Sequence, residues 1–411
     1  MAEGRADNRQ LEGRAENLWL VTLAAAAMLM VTMGTRQSLG LFVSPLNTTT
    51  GLGVVTISFA LAVAQFAWGA IQPIAGAIAD RYGTGPVLAA GIVVLAIGSA
   101  LTPFMTSGLG LVFSLGILSA VGAGACSFSV LIGAVAQRLT PEARGKAAGV
   151  INAGSSFGQF VFAPLTQRLI QTLGWMGAMW SLAVIALAAL PLIRFVTRGA
   201  APPKPAAHHE RLWPSVRNAF ADRSYILLHL GFFTCGFHIA FLVTHLPQEV
   251  NLCGLPPTVA SWSLAIIGLS NIAGSLLAGA ATARYRSKMI LAAMYGSRAL
   301  FIALYLLAPK TSLTFYIFAA GLGLTWLATV PPTAAIVGKL FGVRYLATLF
   351  GLTLLSHQIG GFLGAYLGGI ALDRTGSYSW MWYADMALAA AAAIVNLPIR
   401  EAPVHAVPVP A

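Results

Sequence analysis

The second half of this chain runs in register with the first at a shift of 202 or 203 residues. Gly34, Arg36 and Pro45 recur as Gly236, His238 and Pro247, and Gly76, Arg81 and Tyr82 recur as Gly279, Arg284 and Tyr285. Gly149, Gly158, Phe160 and Gly174 recur as Gly351, Gly360, Phe362 and Gly376. One coincidence of glycines means little. A nearly constant offset held across three separate regions restricts the fold to two copies of one unit, each a succession of long apolar segments. Two similarly oriented copies in a membrane leave a natural seam between them.

Composition supports the membrane setting. Charged residues are 9% of the 411, against roughly 25% in soluble proteins, and mean hydropathy is +0.79. A hydrocarbon slab of about 30 Å needs roughly 20 apolar residues per helix. Twelve segments qualify: 18–46, 54–79, 85–106, 109–138, 145–171, 175–197, 225–248, 257–282, 288–308, 312–338, 346–372 and 378–398. No period-two alternation suggests a barrel, and 43 glycines suit close helix packing. The expected fold is an all-α polytopic membrane protein with 12 transmembrane helices in two pseudo-symmetric six-helix bundles.

Net charge +12 would suit nucleic acid, but its distribution argues for orientation instead. With the N-terminus placed in the cytoplasm, nineteen of the 24 Lys and Arg residues fall in cytoplasmic segments. Three fall outside (Arg168, Lys310, Arg374), and Arg36 and Arg298 lie within helices. The positive-inside rule then puts both termini in the cytoplasm, and no nucleic-acid partner is expected. The expected organisation is a tail 1–17, a bundle 18–198, a cytoplasmic linker 199–222, a second bundle 223–399 and a tail 400–411. The first apolar run is too long for a signal-peptide core and reads as a retained helix. Cys126, Cys235 and Cys253 form no CxxC pair. The linker's His208-His209 pair has no Cys or carboxylate neighbours at ligand spacing, so neither metal nor cofactor is expected.

The second segment ends in Gly76-Ala-Ile-Ala-Asp80-Arg81-Tyr-Gly83. This resembles the G-x-x-x-D-R-x-G signature of the major facilitator superfamily, found between helices two and three. There Gly76 permits close helix approach, while Asp80 can bond a neighbouring helix N-terminus or an Arg, forming a cytoplasmic gate with Arg81 and Gly83. A solvated turn is the plainer reading. The basic residues usual after the second Gly are replaced by Thr84-Gly85-Pro86. Within the superfamily, Gly34-Thr-Arg36-Gln-Ser38-Leu-Gly40-Leu-Phe42 is similar to the first helix of bacterial relatives of the monocarboxylate transporters. Ser155-Ser-Phe-Gly158-Gln159, Ser356-His357-Gln358-Ile-Gly360 and Asp373-Arg-Thr-Gly376 also look like that group. The Asp/Arg pair that group carries in helix eight is missing from Asn271-Ile-Ala-Gly274-Ser275. The adjacent Gly-Pro of drug exporters is missing from helix five. The resemblance implies a secondary carrier.

Intramembrane charge locates a candidate site. An Arg at helix centre costs about 2.5–3.5 kcal/mol on insertion scales, so it faces a cavity or a partner. Arg36 stands roughly 25 Å into helix one, and its repeat mate His238 roughly 20 Å into helix seven, at 1.5 Å per residue. His245 lies two turns further along the same face. In the resembled fold helices one and seven face each other, so the three are expected to form one cationic pocket for an anion. Arg36 snorkelling to headgroups and packing roles for the histidines are the competing readings.

His357, Gln358 and Trp326 complete the expected binding set. His238, His245 and His357 are the proton-coupling candidates, because no central carboxylate is expected and imidazole titrates near pH 6.5. Arg298 and Asp385 are expected to neutralise each other as a structural ion pair. Pro331-Pro332 predict a gating kink in helix ten. No ATP-binding loop or catalytic constellation occurs, so neither a pump nor an enzyme is expected. The reading is a monomeric carrier in the cell inner membrane, moving a small organic anion, in particular a monocarboxylate, with protons. An exporter of a neutral or amphiphilic compound is the runner-up.

Overall fold

The computed structural model describes residues 2–136, 141–198, 212–342 and 346–403. Among these the chain is helical throughout, with no strand. The crossings are α1 (Trp19–Thr50), α2 (Val54–Ala79), α3 (Thr84–Phe104), α4 (Gly108–Val135), α5 (147–173) and α6 (175–197). The second set is α7 (Arg223–Leu252), α8 (Pro257–Thr282), α9 (Ser287–Leu307), α10 in two pieces (Ser312–Gly323 and Val330–Phe341), α11 (Leu346–Thr375) and α12 (Ser379–Asn396). Twelve crossings return the chain to the face on which it began, called here the termini face; the opposite one is the far face. The His208-His209 pair lies outside the described residues.

The repeat is visible in the backbone. Gly174, between α5 and α6, has φ 70°, and Gly376, after α11, has φ 67°. Gly51 and Gly254, which close α1 and α7, match at 65° and 71°. These are left-handed conformations that a Cβ disfavours, so glycine is required at equivalent corners of both halves. Packing repeats as well. A Cβ on Gly158 of α5 would lie 2.3 Å from the Met30 carbonyl of α1, and one on Gly360 of α11 would lie 2.0 Å from the Phe233 carbonyl of α7. Such backbone-to-backbone approach holds helices together where lipid removes the hydrophobic drive.

The halves meet through two exchanged contacts: α2 packs on α11, and α8 packs on α5. Towards the far face this seam is tight. An added Cβ would sit 1.9 Å from the Val243 carbonyl at Gly40, 2.4 Å from Ser58 Cβ at Gly369, and 2.6 Å from the Ser156 carbonyl at Gly268. Asn251 Nδ2 also donates to Ser44 Oγ across the seam at 3.4 Å. Towards the termini face the seam opens: Gly76, Gly149, Gly279 and Gly351 have no neighbour within 4 Å of an ideal Cβ. The structure is therefore closed at the far face and open at the termini face.

Gly40→Ala should shift this balance, because its new methyl meets backbone that cannot swing aside. Labelling of a cysteine introduced at Ser44 by a membrane-impermeant thiol reagent should rise several-fold in Gly40→Ala. Unchanged labelling would show that the far-face contact does not hold the seam shut.

The helix-ten expectation needs correction in position. The backbone leaves the helix at 324–329, ahead of Pro331-Pro332 rather than at them. The prolines have no N–H to return to the preceding turn, which frees its carbonyls. Side chains elsewhere complete the accounting. Arg298 of α9 donates through Nε to Thr325 Oγ1 at 3.2 Å, through NH2 to the carbonyls of Thr325 and Trp326, and through NH1 to Cys235 Sγ at 3.3 Å. Asn271 of α8 accepts from the Leu327 N–H at 2.8 Å. A buried guanidinium thus caps the end of a half-helix, where both the free carbonyls and the helix dipole favour a cation.

Candidate functional site

A cavity of about 550 Å³ occupies the seam, floored by the closed far side and open towards the termini face. Arg36, Trp326, His357 and Gln358 line it; His238 and His245 do not.

Arg36 reaches the cavity from the middle of α1, just before its regular helix gives way to a tighter turn at Leu39–Phe42. Its NH2 donates to Gln65 Oε1, and its guanidinium carbon lies 4.2 Å from the centre of the Trp68 ring. An amide oxygen and a π-face orient the cation without neutralising it. Among the described lining residues it is the one charged side chain, and no described carboxylate joins it. The indole nitrogens of Trp68 and Trp326 are buried donors without an acceptor among the described residues. On the opposite wall Gln358 Nε2 lies 3.4 Å from His357 Nδ1. Gln72, Ser129 and Asn152 add polar groups nearer the opening, with Ser129 Oγ donating to Gln72 Oε1 at 3.2 Å. A planar guanidinium with spare N–H groups, flanked by unused donors, can hold a carboxylate bidentately. The aromatic and aliphatic remainder of the wall can cover an apolar body.

The expected trio of Arg36, His238 and His245 is not assembled. His238 turns into the second bundle, where its Nδ1 lies 2.6 Å from Asp385 Oδ2 of α12, both side chains being buried. His245 has both ring nitrogens engaged, Nδ1 with the Tyr378 hydroxyl at 2.9 Å and Nε2 with the Ala365 carbonyl at 2.7 Å. It is a packing histidine. The proposed Arg298–Asp385 pair is likewise replaced: Asp385 takes His238, and Arg298 serves the α10 break. Phe42 and Phe241 are buried in the bundle cores, and Tyr366 packs against Phe59 and Phe362.

At the gate motif, Gly83 has φ 93°, which explains the glycine after the helix, and the Arg81 guanidinium lies 5.3 Å from the Tyr82 ring centre. Gly76 makes no close helix approach here, because the seam is open at that end. The side chain of Asp80 lies outside the described residues.

Sequence reasoning passed over Gln65, Trp68, Gln72 and Asn152. A signal existed for three of them: positions 65, 68 and 72 fall on one helical face, a polar and aromatic stripe in an apolar segment.

The model of the Major Facilitator Superfamily matches residues 23–252 and 228–410. The chain belongs to that superfamily and is a multi-pass membrane transporter, not an enzyme. It is 27% identical over 394 residues to monocarboxylate transporter 13 of Rattus norvegicus, covering 92% of this chain and 89% of that protein. It is also 25% identical over 323 residues to the Fujikurins efflux protein of Gibberella fujikuroi, covering 76% and 66%. Among solved structures, the D-xylose-proton symporter superposes with a TM-score of 0.76 at 14% identity, covering 93% of this chain and 98% of that one, a likeness of fold.

Proposed function

We propose that this transporter carries an organic monocarboxylate across the cell inner membrane by alternating access, with a proton as the coupling ion. The bundles 18–198 and 223–399 rock about the seam, joined by the linker 199–222. Linker and termini are cytoplasmic, so the described conformation is inward-open, and one monomer suffices. The observation that carries the reading is the placement of Arg36: a cation in the cavity wall, oriented by Gln65 and Trp68, with no carboxylate beside it among the described residues. Cations at membrane depth are normally paired, and here the missing partner is the substrate. His357, Gln358 and Trp326 are assigned to the opposite wall of the binding site. Similarity to a monocarboxylate transporter supports the same substrate class.

The test is uptake of radiolabelled benzoate, lactate and pyruvate into proteoliposomes under an imposed pH gradient. Accumulation driven by external acid is the expected result. Uptake indifferent to the gradient but stimulated by internal carboxylate would replace symport with exchange. The largely apolar wall and the likeness to an efflux protein favour one second reading, export of an amphiphilic compound. Transport of neutral amphiphiles together with rejection of all three acids would establish it.

A further inference from the structure

The pair of His238 and Asp385 is not used by the cavity, yet it has the features of a working site. Asp385 is the sole charged residue of α12, and it is buried beside an imidazole at 2.6 Å. Each partner keeps one atom unsatisfied: Asp385 Oδ1 and His238 Nε2 have no hydrogen-bond partner among the described residues. Buried polar groups kept for stability are normally fully bonded. The elements packed around the pair offer little other charge. On α7, Cys235 stands one turn away, beside Arg298 of α9 and His357 of α11. Tyr295 of α9 lies under the Arg298 guanidinium at 5.3 Å. α8 carries no charged residue, and α10 carries only Lys339 near the termini face. Glu249, with Tyr305 and Trp382 bonded to it, forms a separate cluster three turns further along α7. Trp326 links the pair to the cavity: its ring centre is 6.0 Å from that of His238, and the residue is part of the cavity wall.

We propose that His238 and Asp385 together are the site that takes up the coupling proton, one indole ring away from the substrate. This rests on the carboxylate reading of Arg36. Loading adds one proton to a neutral imidazole beside a carboxylate and gives an imidazolium–carboxylate pair of zero net charge. Unloaded, the pair carries one negative charge. Arg36 carries one positive charge when empty and none when it holds a carboxylate. Arg298, held by the carbonyls at the α10 break, keeps the same charge in all four states; apart from it, Arg36 and the pair sum to zero when both ligands are present and when both are absent. With either ligand alone, one charge is left over. Closing low-dielectric protein around a net charge is penalised far more than closing it around none. The two sites sit in different bundles, so this balance is struck only when the bundles come together. It gives one-to-one symport without direct contact between proton and substrate.

The test separates net transport from exchange in proteoliposomes, with radiolabelled benzoate as probe. Asp385→Asn fixes the pair in its neutral state. It should keep benzoate counterflow within about threefold but lose accumulation driven by a pH gradient, which one-to-one coupling sets at about tenfold per pH unit. Asp385→Glu should restore the drive with a displaced pH profile, which a purely structural role would not produce. A readout without substrate accompanies it: protonated imidazole quenches a neighbouring indole, so the Trp326 contribution to emission should titrate with pH. That contribution is defined by Trp326→Phe, and its titration should disappear in Asp385→Asn. Accumulation by Asp385→Asn equal to that of the unaltered protein, or an unchanged emission titration, overturns the proposal. Unaltered protein that exchanges benzoate but never accumulates it overturns the symport reading and this site with it.

Discussion

Arg36→Ala is expected to weaken carboxylate binding about 10- to 100-fold while leaving the yield and melting temperature of the purified protein intact. The magnitude follows from the interaction removed. A hydrogen bond to a charged group contributes about 1.5–3 kcal/mol, and about 1.4 kcal/mol is tenfold in affinity. The stability expectation follows from what Arg36 touches: the Gln65 amide and the Trp68 face, both in the wall of an open cavity. Removing the guanidinium strands no buried carboxylate, so folding loses little. Arg36→Lys should fall between, because it keeps the charge but loses the planar fork. Isothermal titration with benzoate, beside a melting curve, checks both halves. A variant that binds normally, or that fails to fold, contradicts the assignment.

The opposite pattern is expected of the other intramembrane arginine. Arg298→Ala removes the donors on the Thr325 and Trp326 carbonyls and on Thr325 Oγ1 together. Those groups are buried at the α10 break, and stripping one member from such a buried set costs about 3–5 kcal/mol. We expect a several-fold fall in folded yield, and a melting temperature lower by several degrees in whatever protein survives. Arg298→Lys should rescue only part, since one ammonium cannot span three acceptors with fixed geometry. Size-exclusion profiles and thermal melts in detergent give the measurement. Normal stability with altered substrate preference would move Arg298 from scaffold to site.

These two arginines show how much of the site could be read beforehand. Position along a helix follows from a rise of about 1.5 Å per residue, so the depths of Arg36, His357, Gln358 and Trp326 were legible. Azimuth was not. His238 is the repeat mate of Arg36, yet it faces into its own bundle because Asp385 on α12 offers a buried partner there. The same limit misassigned Arg298. Sequence shows two opposite charges at membrane depth and invites pairing them. It does not show that the backbone of α10 opens at 324–329 and needs a cation more than Asp385 does. The repeat itself was fully legible, since glycine is demanded wherever backbones touch or φ turns positive, as at Gly158 and Gly360 or Gly174 and Gly376. The amides Gln65, Gln72 and Asn152 escaped notice because an uncharged polar residue in a membrane helix carries little penalty of its own.

The central claim is that the cavity is built to hold a negative charge at Arg36. The most direct measurement compares equilibrium binding of benzoate and of benzamide, its neutral near-isostere, to the purified protein and to Arg36→Ala. The account predicts benzoate at least tenfold tighter than benzamide in the unaltered protein, with that preference abolished in the variant. Equal binding of acid and amide, or a preference for the acid that survives removal of the guanidinium, would contradict it.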